Sequence, residues 1–169
     1  MRARLSAHLA VLTVLASGCS ISSLQFTNDH RLHFESPANR SQATEPVSVR
    51  WTMRDFTVTG ADGKHSKDAG YFVAFVDTAP MPVGKDLRSL AGEDKSCRRD
   101  PRCPDETYLN RRSVYTTNKT ELTLPLLRAP ARQRDRNEHT VTIVLVDGAG
   151  RRIGESAWSL DFTTPRRAL

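Results

Sequence analysis

Three cysteines are the most reactive side chains of this 169-residue sequence. Cys19 closes the run Leu15-Ala16-Ser17-Gly18-Cys19, in which small side chains precede the thiol, and Cys97 and Cys103 flank a short Arg- and Pro-containing segment. A thiolate can be alkylated, can form a disulfide or, with further ligands, can bind a metal. The segments that position each cysteine decide which of these reactions applies.

The N-terminal residues have the pattern of a secretory signal. Arg2 and Arg4 are followed by the apolar stretch Leu5–Ala16, whose only basic or acidic side chain is His8. This stretch is shorter than the about 20 apolar residues that a bilayer-spanning helix needs. Small residues before Cys19 let the extended backbone enter a peptidase cleft. The sequence therefore predicts a signal peptide at residues 1–18, cut before Cys19.

The run ending at Cys19 resembles the bacterial lipobox, which is usually Leu-Ala/Ser-Gly/Ala-Cys. Ala16 occupies the place where Leu is commoner, with Leu15 one position earlier. The resemblance implies a thioether-linked diacylglycerol on Cys19 and a lipid-anchored protein on the extracytoplasmic face of the cell membrane. The alternative is an ordinary secretory signal cut nearby, with Cys19 present by chance.

Assigning Cys19 to the lipid leaves Cys97 and Cys103 as an even pair. Outside the cytoplasm a disulfide between them would persist. The short loop gives an expected gain of about 2 kcal/mol from loop closure, with Asp100-Pro101 at the bend. A metal site would need two further ligands nearby, and a catalytic dithiol usually has Cys-x-x-Cys spacing. We therefore predict a structural disulfide.

The histidines and methionines give no clear metal site. The run His30-Arg-Leu-His33 is predicted to be extended, and residues three apart on a strand point to opposite faces. His65 lies in a polar loop and His139 at a strand start, so both are predicted to be surface residues. Met53 and Met81 could ligate copper(I), but they are isolated and packing is their expected use. We predict neither a metal nor another cofactor.

No catalytic motif is recognisable either. The sequence lacks a Gly-x-Ser-x-Gly elbow and a Gly-rich phosphate loop. The paired carboxylates Asp105/Glu106 are adjacent in sequence, so a helix or strand turns them apart. We therefore predict no catalytic residue. The alternative is an enzyme or metal carrier whose site is assembled from distant residues such as His65, His139 and an acid.

The charge balance is basic. Lys and Arg number 25 against 19 Asp and Glu, a formal net charge of +6, and removing Arg2 and Arg4 leaves +4. Such a balance favours anionic lipid headgroups or acidic wall polymers, although arginine-rich coding in a GC-rich genome would produce the same excess. Nucleic acid is not expected as a partner, because no predicted helix has a basic face with interleaved aromatics.

Apolar residues recur with the period of β-strands through most of the chain. Val47–Met53 alternates apolar and polar residues, as half-buried strands do, and Tyr71–Val76 is apolar on both faces, as central strands are. The C-terminal segment predicts a hairpin, with Thr140–Val146 leading through Asp147-Gly-Ala-Gly150 to Arg151–Phe162. Phe56 and Val58 are predicted to extend the Val47–Met53 strand after a bulge. Shorter strands are predicted at Leu32–Phe34, Val114–Thr116 and Leu122–Leu126, and short helices at Asp86–Leu90 and Pro104–Arg112.

About seven short strands with little helix predict an all-β fold, an antiparallel immunoglobulin-like β-sandwich with a long loop and short-helix insertion. The terminal hairpin, ending Trp158-Ser-Leu-Asp-Phe162, resembles the last two strands of bacterial immunoglobulin-like domains. The middle block, Tyr71–Pro82 with Cys97, Cys103 and Val114-Tyr-Thr116, resembles uncharacterised lipoproteins of high-GC, actinobacterial genomes. That family supplies a location and no activity.

The predicted organisation is a signal peptide at 1–18, the lipidated Cys19 and a flexible tether at 19–30, a β-sandwich domain at 31–164 and a tail at 165–169. We expect a non-catalytic binding module of the cell envelope, because rigid sandwiches present loops for recognition. The candidate partner-binding loop is the excursion Thr78–Arg112, with Arg98, Arg99 and Arg102 at its tip. Its partner would be an envelope protein or a wall polymer. Alternatives are an insertion that only covers a sheet edge, or an accessory subunit of a membrane complex, which would present a flat apolar patch.

Overall fold

The computed structural model of the chain describes residues 29–125, 127 and 137–165. These residues form nine strands and three short helical segments. The strands are β1 Leu32–Ser36, β2 Ser41–Gln42, β3 Val47–Met53, β4 Thr57–Val58, β5 Ala69–Val76, β6 Val114–Thr117, β7 Glu121–Leu124, β8 Glu138–Val146 and β9 Trp158–Thr163. A 3-10 helix at Leu87–Ala91 precedes helices α1 Lys95–Arg99 and α2 Glu106–Asn110.

The strands form two sheets, which confirms the prediction of a mainly β fold. The smaller sheet has the order β1-β3-β7, and the larger has the order β2-β9-β8-β5-β4, with β6 also pairing with β5. Most strand pairs are antiparallel, as predicted, whereas two pairings, β2 with β9 and β4 with β5, are parallel. Both involve two-residue strands whose partners are far along the chain or reached through a long loop.

The main core lies between the two sheets. The alternating residues of β3 are buried as the period of two predicts, and Trp51 meets Phe72 of β5 edge to face, with ring centroids 5.3 Å apart. The fully buried side chains of this layer come from both sheets, and burial of each large apolar side chain contributes about 1.5–3 kcal/mol. The arrangement is a two-layer β-sandwich.

A second apolar cluster covers the outer face of the larger sheet. Met81 and Leu109 of the Thr78–Arg112 excursion are buried against β5 and β8 residues such as Val73 and Val144. This explains why β5 and β8 are apolar on both faces, and it confirms packing as the role of Met81. The excursion therefore covers a sheet face, whereas the alternative that it only covers a sheet edge is wrong.

The N-terminal end of the described chain is held against the start of β9. The Asp29 carboxylate accepts hydrogen bonds from the Arg31 guanidinium, with 2.8 Å to Nη2, and from the Ser156 hydroxyl. Trp158 Nε1 donates to the Asp29 carbonyl at 2.7 Å. The hydrogen bond from the Arg31 side chain is the main cause that holds the pKa of Asp29 well below its usual range. The contacts of the sandwich thus begin at Asp29, within the segment predicted as tether.

We expect Asp29→Asn to lower the free energy of unfolding by about 1–2 kcal/mol at pH 7, because a charge-assisted pair is lost. Since the folded pKa of Asp29 lies below its unfolded value, the stabilisation is present above about pH 4 and is lost as the pH falls towards the folded pKa. Urea unfolding at pH 7 and pH 2.5 measures this difference. The exposed Glu35→Gln serves as control, and a deficit that is the same at both pH values would contradict the assignment.

Candidate functional site

The excursion between β5 and β6 is built from three short helical segments, each capped by an aspartate. The carboxylate of Asp86 accepts from Ser89 N, that of Asp94 from Ser96 N and Cys97 N, and that of Asp105 from Tyr108 N. Side-chain oxygens at these positions satisfy amides that have no partner within the helix. The caps fix the direction in which the chain enters each segment.

Helix α1 was missed by the sequence prediction, although it carries two of the three candidate arginines. The signal that could have found it is Asp94, whose Oδ1 accepts from both Ser96 N at 3.0 Å and Cys97 N at 3.2 Å. The Ser96 hydroxyl, donating to the same carboxylate, is the main cause that lowers the pKa of Asp94. Five residues are too few to show helical periodicity, so the cap was the only local cue.

Cys97 and Cys103 form a disulfide, as the sequence predicts, with their Cα atoms 5.1 Å apart. Cys97 is buried, and the bridge joins α1 to the segment that leads into α2. Arg88 of the 3-10 helix donates to the Pro101 carbonyl at 2.7 Å, a second link across the loop. The disulfide therefore closes the tip of the excursion on itself, and the Arg88 hydrogen bond links the tip to the 3-10 helix.

Arg98, Arg99 and Arg102 project from this disulfide-closed tip. The Arg98 and Arg102 side chains are 61% and 89% exposed. Their nearest carboxylates are those of Glu93, 3.7 Å from Arg98 NH1, and Asp100, 3.6 Å from Arg102 Nε. Exposed pairs at such distances contribute little to stability, so the guanidinium groups are accessible to a partner.

Two open cavities flank the tip. Arg98 lines one of about 430 Å³, together with Arg88, Glu93 and Asp100. The other, of about 450 Å³, contains Arg112 stacked on the Tyr108 ring, 3.7 Å from the guanidinium carbon to the ring centroid. Both contain mixed charges and little apolar surface. They fit polar contacts better than an apolar small molecule.

His65 and His139 do not share a cleft. His139 Nδ1 lies 2.7 Å from Asp77 Oδ2, and His65 Nδ1 lies 2.7 Å from Asp147 Oδ2. His139 is the second residue of β8 and Asp147 directly follows the end of that strand, so His139 and Asp147 are separated by about 27 Å of extended chain. A single site containing both histidines is therefore wrong for the described residues.

His139 is also not the surface residue that the sequence predicted. The residue is 2% exposed, its ring packs on Phe162 and its Nε2 lies 3.3 Å from the Thr164 hydroxyl. The carboxylate of Asp77 satisfies the buried ring, and this explains the position inside the sandwich. His65 is exposed, as predicted.

Cys19 and most of the predicted tether lie outside the residues that the structure describes. The helices that are described span only five residues each, so none of them is a candidate for crossing a membrane. Within the described ranges no three His, Cys, Asp or Glu side chains are grouped as metal ligands would be.

Known proteins provide no function for this chain by similarity. No family model, curated protein or solved structure matches it. Function is therefore inferred from the arginine-bearing tip and from the cavities of the described structure.

Proposed function

We propose that this chain is an exported, lipid-anchored and non-catalytic binding module of the cell envelope. Cys19 carries the lipid, and Arg98, Arg99 and Arg102 contact the partner. The observation that carries the proposal is the accessible arginine tip, held by a disulfide on a rigid sandwich. A preorganised tip loses little conformational freedom on binding.

We also propose that the sandwich is of the immunoglobulin-like type. In such domains strands B and E pair in one sheet and strands C, F and G in the other. Here the first, third and seventh strands make one sheet, and β5, β8 and β9 lie in the order expected of C, F and G. The domain departs from the antibody pattern because the buried Trp51 is on β3 and the disulfide lies in the excursion. The strand order supports the type, and the loops at its ends carry recognition.

Arginine at the tip favours an acidic partner. Its planar guanidinium binds carboxylate or phosphate through two parallel hydrogen bonds. An envelope protein with an acidic surface or an acidic wall polymer has this chemistry. An accessory subunit packed through a flat apolar patch is less well supported, because the large apolar side chains exposed in the described ranges are only Val58 and Val83.

The test is cross-linking and affinity recovery from mildly solubilised membranes. We compare the natural chain with Arg98→Gln/Arg99→Gln/Arg102→Gln and with Cys19→Ala. The tip variant is expected to recover at least about tenfold less of the specific partner, since each charge-assisted contact contributes about 1.5 kcal/mol. Cys19→Ala is expected to lose fatty-acid labelling and to move to the soluble fraction.

The matched control removes the same charge from the other sheet. Arg50 and Arg54 are exposed at β3 and Lys119 is exposed before β7, so Arg50→Gln/Arg54→Gln/Lys119→Gln preserves the tip. Equal recovery by the tip variant and this control would contradict a role for the tip. Fatty-acid labelling that persists in Cys19→Ala would contradict the anchor.

A further inference from the structure

A third cavity, a cleft of about 500 Å³, lies at the β8–β9 turn, apart from the arginine tip. Its lining includes His65, Lys67, Asp147, Arg151 and Arg152. Three of these side chains are cationic and one is a carboxylate, so with neutral His65 the lining carries a net charge of +2. Its volume is within the range of small-molecule sites.

The one carboxylate of this lining is hydrogen-bonded within the protein. Asp147 Oδ1 accepts from Ala149 N at 3.0 Å and from Arg151 N at 2.8 Å, and Oδ2 is 2.7 Å from His65 Nδ1. The Asp147 side chain is only 5% exposed. Its oxygens are therefore engaged in holding the turn, and His65 shields them from an approaching anion.

Arg152 supplies a buried positive charge at the wall of the cleft. The residue is 8% exposed, and its guanidinium donates to the carbonyls of Met81, of Glu155 at 2.9 Å and of Ser156 at 3.2 Å. In the described part of the chain its Nε has no hydrogen-bond partner, and no ion pair involves it. Burial lowers the pKa of Arg152, yet a guanidinium stays charged in proteins.

A buried cation without a carboxylate is unfavourable unless something else compensates its charge. The carbonyl dipoles around Arg152 compensate part of it. An anion in the cleft would compensate the remainder, and the exposed Lys67 and Arg151 at the same cleft provide hydrogen-bond donors for it. The cleft thus combines one buried positive charge, that of Arg152, with the two exposed charges of Lys67 and Arg151.

We propose that this cleft binds a phosphate group. A phosphomonoester carries a charge of about −1.5 to −2 at pH 7, which matches the cleft. Arg151 and Lys67 would donate to its oxygens, while the remaining volume holds part of the molecule that bears it. The phosphate belongs either to a soluble ester or to a lipid headgroup, and the two sources share the same recognition chemistry.

The experiment is a titration of the full-length chain in detergent micelles, followed by backbone amide NMR shifts at constant ionic strength set with chloride. Inorganic phosphate is expected to shift the amides of Ser66, Lys67, Arg151 and Gly154, with saturation at about millimolar concentration or below. Arg151→Gln and Lys67→Gln are each expected to weaken binding about tenfold. Arg54→Gln, which removes the same charge from the other sheet, is expected to leave binding unchanged.

A second arm identifies the source of the phosphate. Vesicles containing phosphatidic acid, whose headgroup is a phosphomonoester, indicate a lipid source if they shift the same amides where phosphatidylcholine vesicles do not, and response to inorganic phosphate alone indicates a soluble ester. Absence of cleft shifts in both arms would overturn the proposal. Shifts that are unchanged in Arg151→Gln and Lys67→Gln would overturn it as well.

Discussion

Replacing Gly70 by alanine is expected to lower the free energy of unfolding by about 3 kcal/mol or more, because the added carbon has no space. A Cβ at Gly70 would lie 1.9 Å from the Val146 carbonyl oxygen and 2.8 Å from Asp147 Cα. These are backbone atoms of β8 and its turn, so relief requires a shift of β5 against β8. No side-chain rotation can provide it.

The position of Gly70 explains why the effect should spread. Its carbonyl accepts from Thr59 N at 2.6 Å, and its neighbour Tyr71 pairs with Val146 in the β5–β8 register. Displacement at this point would disturb β4, the central strand pair and the Asp147 turn together. We therefore expect weaker phosphate binding by Gly70→Ala in the same titration.

Urea denaturation followed by tryptophan fluorescence measures the stability change. Gly60→Ala is the matched control, because a Cβ there meets no atom within 4 Å and the φ of Gly60 is not positive. It is expected to change stability by less than about 1 kcal/mol. Equal unfolding midpoints for the two variants would show that β5 and β8 do not approach so closely at Gly70.

The main strands could be predicted because the pattern of apolar and polar residues in the local sequence reflects which of their faces are buried. Val47–Met53 alternates, as a strand with one buried face must, and it forms β3 at those bounds. Tyr71–Val76 is apolar throughout because the excursion covers the second face of β5. The predicted hairpin also forms, although regular pairing between β8 and β9 is restricted to Trp158 onwards.

The missed elements have no periodicity to detect. β2 contains only Ser41 and Gln42, and its strand character comes from pairing with Phe162 and Thr163 of β9. Val58 was predicted to extend the preceding strand, whereas it pairs with Gly70 in β4. Such pairings are decided by contacts distant in sequence, so local patterns cannot predict them.

The candidate sites, like the strands, include features that the sequence could predict and features that it could not. The disulfide could be predicted from the number and spacing of cysteines. The burial of His139 and Arg152 could not, because the groups that satisfy them, Asp77 and the Met81 carbonyl, lie about 60 and 70 positions away. A polar residue in a strand is predicted to face solvent unless its partner is known.

Removing Asp77, the partner of His139, is also expected to lower the free energy of unfolding strongly. Asp77 Oδ2 lies 2.7 Å from His139 Nδ1, and Oδ1 accepts from Thr140 N at 2.8 Å. Asp77 also has a φ of 53°, where alanine is less favourable than aspartate. Asp77→Ala leaves a buried ring nitrogen and a backbone amide without partners, which we expect to cost about 3 kcal/mol.

The matched control is Asp161→Ala. Asp161 is exposed, and its carboxylate accepts from the hydroxyl of the same Thr140 at 2.8 Å, so this variant is expected to lose less than about 1 kcal/mol. Equal losses in the two variants would contradict the burial of the Asp77–His139 pair.

A double-mutant cycle, measured by urea unfolding, separates the stabilisation by the Asp77–His139 pair from that by the hydrogen bond between Asp77 and the Thr140 amide. His139→Phe retains a ring against Phe162 and leaves Asp77 Oδ2 without its partner, whereas Asp77→Ala/His139→Phe removes both members of the pair. Because the double variant leaves neither a buried ring nitrogen nor Asp77 Oδ2 without its partner, it should be more stable than the sum of the single losses predicts, by about 1–2 kcal/mol. Additive losses would instead assign the effect of Asp77 to the Thr140 amide and to its left-handed backbone.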